Sequence, residues 1–151
     1  MTAQANDFPP VIFLEALNRI PFFKDFSTYE KRRLCSSHAN FVQFIPGEWI
    51  IREGDIDSSF YILLDGSVSV MKQHVEIVYM EAGEFFGELA FLGNTARTSS
   101  VVAREPVLAL RIDRDLMRRL GCETREKIKD QCIFKMVERV DKLTERLRVR
   151  M

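Results

Sequence analysis

Hydrophobic and polar positions change their period twice along the chain. Near the start, Val11-Ile12-Phe13-Leu14-Glu15-Ala16-Leu17 follows Pro9-Pro10. Proline suits a first helical turn, where its missing N–H and fixed φ cost nothing. Pro21 interrupts the pattern between Asn18 and Phe26, and Ser27 with Glu30 three residues later has the capping-box spacing that predicts a second helix reaching about His38. From Asn40 the runs become short and β-prone. Phe41 to Ile45 stops at Pro46-Gly47, and Trp49 to Ile51 stops at Glu53-Gly54-Asp55. Phe60 to Leu64 stops at Asp65-Gly66, Val68 and Val70 alternate, and Val75 to Met80 stops at Ala82-Gly83. Val101 to Ala103 and Val107 to Leu110 follow. Strands of this length and spacing predict an antiparallel sandwich or barrel.

After Asp113 the helical period returns. One short helix runs to Leu120 and stops at Gly121, and a long one runs from Glu123 to about Val149. Ile133, Met136, Val140, Leu143 and Leu147 step by three and four residues, a heptad seam about two heptads long. The fold class is therefore α+β: an antiparallel β-roll of jelly-roll type, flanked by N-terminal helices and a long C-terminal helix. We read residues 1–151 as a single domain, with a helical segment at 1–39, a β-roll at 40–112 and C-terminal helices at 113–151.

Composition narrows the function. The chain has 151 residues, of which 46% are hydrophobic and twelve are Phe, enough for a packed core. Uncharged stretches fall short of the roughly 18–20 apolar residues of a membrane span, and the first seven residues do not read as a secretory signal. Three scattered Cys without a C-x-x-C point to a reducing, cytoplasmic setting rather than a disulfide framework or zinc site. Net charge is zero, but residues 1–110 carry −5 and residues 111–151 carry +5. A basic helical tail is a weak nucleic-acid signal, and a solvated helix of mixed charge explains it better, so no nucleic-acid partner is expected. His38 and His74 have no companions at metal-ligand spacing, and no Ser or Cys sits in a nucleophile motif. Neither an enzyme nor a metal site is expected.

One stretch carries chemistry. Between Gln73 and Ala103, Arg97 is the single Lys or Arg, among Glu76, Glu81, Glu84 and Glu88. One reading pairs Arg97 with one of those glutamates. The other is an anion site: Arg97 offers a fork of donors to phosphate oxygens. In that reading Gly87 lets the backbone come close, and a helical turn over Glu88-Leu89-Ala90-Phe91-Leu92 turns its first N–H groups to the same anion.

The run from Phe85 to Val101 resembles the phosphate-binding cassette of the cyclic nucleotide-binding domain family. Ile45 to Asp55, Tyr61 to Gly66 and Ala82 to Glu88 also match that family's strand and turn signatures, in the same order. The resemblance implies a ligand, cAMP or cGMP, and no other cofactor. It implies that Glu88 accepts from the ribose 2′-hydroxyl, that Arg97 pairs with the cyclic phosphate, and that the backbone around Phe86, Gly87, Glu88, Leu89 and Ala90 lines ribose and phosphate. Thr98 would bond the phosphate and reach a syn guanine, and Ser99 stands where a small residue fits. Many members have Pro before the Arg, whereas this chain has Ala96. Val70, Val78 and Met80 would lie near the base, although barrel core explains these three equally. Arg139 would lie over the purine, although a solvated helix position explains it better. The implied function is a regulatory sensor whose last helix moves on binding. The alternatives are a dimerising interaction module with a vestigial pocket and a ligand-binding fragment of a cyclic nucleotide-gated channel. A weak homodimer through the last helix is the one protein partner the seam suggests.

Overall fold

Ser27 caps its helix in both directions: its hydroxyl accepts from Glu30 N at 3.1 Å, and Glu30 Oε1 accepts from Ser27 N at 2.8 Å. In the computed structural model, which describes residues 10–150, this box opens α2 (Thr28–Cys35), after α1 (Pro10–Asn18) and a 3-10 turn at Pro21–Phe23. The second helix ends at Cys35, short of the expected His38. The Ser36 hydroxyl donates to Arg33 O at 2.7 Å, taking a carbonyl that a further turn would need. His38 lies instead in a 3-10 turn, His38–Asn40.

Eight strands follow: β1 (Phe41–Phe44), β2 (Trp49–Ile51), β3 (Phe60–Asp65), β4 (Ser67–Lys72), β5 (Val75–Glu81), β6 (Phe85–Phe86), β7 (Ser100–Ala103) and β8 (Val107–Ile112), with α3 (Glu88–Gly93) between β6 and β7. They form two antiparallel four-stranded sheets, in the orders β1-β8-β3-β6 and β2-β7-β4-β5. The chain crosses repeatedly between the sheets, as a jelly roll requires. The sequence periods place every strand except β6, and a two-residue strand has no period to read. Gln73 and His74 join β4 to β5 with φ of 51° and 68°, the signature of a type I′ hairpin turn made without glycine.

Strand alternation builds the packing on both faces of β3. Tyr61 and Leu63 face an inner core with Ile51, Val68, Met80, Phe86, Val101 and Ala109. Phe60 points the other way into an aromatic layer, where its ring lies 4.8 Å from Phe91, 5.9 Å from Phe85 and 6.3 Å from Phe22. Phe85 and Phe86 divide between the same two layers, and Phe86 stacks on Tyr61 at 5.5 Å. Side chains on consecutive positions of β6 therefore hold the start of the cassette from both sides.

The chain divides into two compact units after Arg119. The first ends with α4 (Arg114–Arg119), which Asp113 caps by accepting from Leu116 N at 2.8 Å. The second holds α5 (Cys122–Arg150). Along α5, Ile128 and Cys132 are buried, whereas Ile133, Val140, Leu143 and Leu147 of the seam are exposed, as are Phe134 and Val137. No described helix is long and apolar enough to cross a membrane. Among the described residues no group of three or more His, Cys, Asp or Glu could hold a metal ion.

Candidate functional site

Gly87 follows β6, and its φ of 88° lies in the left-handed region open to glycine. A Cβ on Gly87 would lie 2.9 Å from Arg97 Nη1, 3.1 Å from Ile51 Cδ1 and 3.3 Å from Ser59 O. Glycine is thus needed twice here, for the turn and for the passage of the Arg97 side chain. The expected helical turn forms as α3, and Asn94 ends it with φ 51°. Its buried positions are Glu88, Ala90 and Phe91, while Leu89 and Leu92 are exposed.

The loop then returns to Arg97, which is locked at the backbone. Its N–H donates to Asp55 O and its carbonyl accepts from Gly54 N, both at 2.9 Å. Arg97 is 5% exposed. Nη1 donates to Gly87 O at 2.9 Å, and Nη2 donates to Ser59 O. The carboxylate beside it is Asp57, with Oδ2 3.7 Å from Nη2. The pairing with Glu76, Glu81, Glu84 or Glu88 considered from the sequence is corrected by this geometry. The turn before β3 brings Asp57 to Arg97 from outside the segment in which the sequence suggested a partner.

Burial lowers the pKa of Arg97, against the opposing charge of Asp57. For Asp57 burial pushes upward, but hydrogen bonds from Ser59 and the charges of Arg97 and Arg111 outweigh it and hold the carboxyl below its ordinary value. Asp57 Oδ1 accepts from Ser59 N at 3.0 Å and from Ser59 Oγ at 2.7 Å. Sequence reasoning missed Asp57 and Ser59. Their i, i+2 spacing is a legible Asx-turn signal, but only the tertiary fold sets them against Arg97.

The remaining candidates fall into three groups. Glu88 is 2% exposed and has an interaction of its own within the chain. Phe86 is buried, Ser99 half-buried and Thr98 exposed at the end of the loop. On the β4–β5 ribbon Val68 lies opposite Met80 and Val70 opposite Val78. Burial fades along that one face: Val68 and Met80 are buried, Val70 is half-buried, and Val78 is 46% exposed. It is an apolar surface that opens toward one end. Arg139 is exposed on α5, in the second unit.

A depression of about 490 Å³ is lined by Asp65, Ser67, Glu81, Arg104 and Glu105, with Gly66 and Ala82. Three carboxylates against one Arg make it unsuited to an anion.

A family model for the cyclic nucleotide-binding domain matches residues 41–121. The chain belongs to the cyclic nucleotide-binding domain family. The matched residues run from β1 through α4 and contain the whole cassette. This family member is 33% identical over 104 residues to a cAMP-dependent protein kinase regulatory subunit from Hypocrea atroviridis, covering 69% of this chain and 22% of that protein. It is also 33% identical over 105 residues to a cGMP-dependent protein kinase from Eimeria tenella, covering 69% of this chain and 10% of the kinase. The chain thus spans about a quarter or less of the curated relatives it matches. A cyclic nucleotide-binding domain from Methylobacillus flagellatus KT has the same fold, with a TM-score of 0.77 at 24% identity over 100% of this chain and 89% of that one.

Proposed function

We propose that this cyclic nucleotide-binding domain is a cytoplasmic, non-catalytic sensor that binds cAMP or cGMP, and that binding repositions α5. The observation that carries the reading is the state of Arg97. Two carbonyl oxygens hold the guanidinium in place, and Asp57 stands at ion-pair rather than hydrogen-bond distance. A cyclic phosphate offers this fork two oxygens at full charge-assisted strength. Backbone N–H groups from Gly87 to Ala90 line the same anion, and Thr98 and Ser99 close the loop side. Val70, Val78 and Met80 face the base, and Arg139 covers the purine. The name of the Hypocrea relative supports cAMP, and that of the Eimeria relative supports cGMP. We take both to bind, with cAMP as the native ligand.

Calorimetric titration with cAMP and cGMP tests the reading, and absence of binding by both overturns it. Glu88 supplies an internal check. A buried carboxylate near a phosphate is tolerable when a hydroxyl donates to it, so its role depends on the ribose 2′-hydroxyl. Glu88→Gln is expected to weaken cAMP by about tenfold or more, the size of a hydrogen bond to a charged group. The same change should leave 2′-deoxy-cAMP nearly unaffected. Equal losses on the two ligands would remove Glu88 from the ribose.

The exposed face of α5 favours a second activity for the helix. Ile133, Val140 and Leu147 are exposed with Leu143 between them, and β-branched residues at alternate seam positions suit two parallel strands. Lys135–Arg139 and Lys142–Arg146 are like-charge pairs at i, i+4 and weaken the helix. A homodimer through α5 is therefore expected to be weak. Sedimentation should show monomer at micromolar concentration and a dimer only well above it, and a tight dimer would favour the interaction-module reading.

A further inference from the structure

Arg111 has no role in the reading above. It lies on β8 directly opposite Tyr61, on the face it shares with Ala109 of the inner core. Its contacts converge on the support of Arg97. Nε donates to Ser59 Oγ at 3.1 Å, Nη2 lies 3.9 Å from Asp57 Oδ1, and Nη1 lies 3.6 Å from Asp113 Oδ2. Asp57 is divided between the two guanidiniums: Oδ1 faces Ser59 and Arg111, and Oδ2 faces Arg97. Arg97, Asp57, Arg111 and Asp113 thus form a row of alternating charge that sums to zero. Its far end is the cap of α4, where Asp113 Oδ1 accepts from Leu116 N.

We propose that Arg111 is a positioning residue for the anion site, holding the Asp57–Ser59 support of Arg97 and cancelling the carboxylate charge that would repel an incoming phosphate. The inference rests on the nucleotide-binding reading. Removing the charge of Arg111 leaves the row net negative, with Asp57 free to bind Arg97 alone and compete with the ligand. Removing the charge of Asp113 makes the row net positive and leaves Arg111 wholly to Asp57. The two changes therefore act in opposite directions, although neither residue is among those that line the ligand.

The test uses Arg111→Gln, Arg111→Lys and Asp113→Asn in the full chain, since Asn caps a helix about as well as Asp and spares α4. Two quantities are read: cAMP affinity by calorimetry, and the titration of the Asp57 carboxyl by NMR without ligand. The groups facing Asp57 are Arg97, Arg111, Ser59 and Tyr61. Arg111→Gln should weaken cAMP by about tenfold and raise the Asp57 pKa, Arg111→Lys should recover most of both, and Asp113→Asn should tighten cAMP by about threefold, effects of a unit charge at partly screened distance. An Asp57 titration unmoved by Arg111→Gln overturns the proposal. So does unchanged affinity in that variant, or a loss that Arg111→Lys does not recover, which marks a packing role. If the wild-type chain binds neither nucleotide, the sensor reading fails, and the row is then judged on the Asp57 titration.

Discussion

Arg97→Ala should lose at least about a hundredfold in cAMP affinity, because a desolvated, bidentate, charge-assisted contact disappears. The geometry adds a second effect that the sequence does not suggest. The guanidinium is also a structural donor, satisfying Gly87 O and Ser59 O from a buried position. Its removal leaves both carbonyls and Asp57 short of a partner, at a cost in folding stability of about 1–3 kcal/mol. Urea unfolding and calorimetry on one preparation separate the two losses. Arg97→Lys keeps the charge without the fork, so it should recover part of the stability and little of the affinity. Wild-type affinity in Arg97→Ala would mean that the cassette is misassigned.

Gly87→Ala should also weaken binding, by a smaller factor. The substitution puts a Cβ at φ 88°, which costs about 1–2 kcal/mol for an L-residue. It also puts that carbon 2.9 Å from Arg97 Nη1. The guanidinium must move, and with it the fork on which the phosphate would sit. Gly83→Ala is the matched control, since Gly83 has φ +98° and nothing within 4 Å of a new Cβ. Gly83→Ala should lose only the backbone cost, whereas Gly87→Ala should lose more stability because the displaced guanidinium also satisfies two carbonyls. Gly87→Ala alone should lose affinity, by about tenfold or more for a displaced charge-assisted contact. Equal affinities in the two variants would show that the Gly87–Arg97 contact is irrelevant to the ligand.

What could be read from the sequence was local. The capping box at Ser27 depends on residues three apart, and it forms as read. The strand runs end where their turn residues stand, and the glycine and helical turn of the cassette are written in seven consecutive residues. The misses are long-range or too short to carry a period. The two residues of β6 owe their strand to pairing with Tyr61 and Ile62. The second helix stops early because one serine hydroxyl competes for a backbone carbonyl. Asp57 lies far from Arg97 along the chain, and it is brought there, with Arg111 beside it, only by the pairing of β3 and β8. For that reason sequence alone offered glutamates within the cassette region as the partners of Arg97, whereas the fold supplies an aspartate.

β5 stands last in its sheet, with one side of its backbone unpaired by β4 and with Val75, Ile77, Val78 and Tyr79 exposed. Such an edge is a template on which another extended chain can build. Glu76 and Glu81 lie within the strand, and Glu84 follows it. Carboxylates brought edge to edge would repel a second copy of the same strand. Glu76, Glu81 and Glu84 thus guard this edge, and mutations that erase these acids are expected to favour self-association through it.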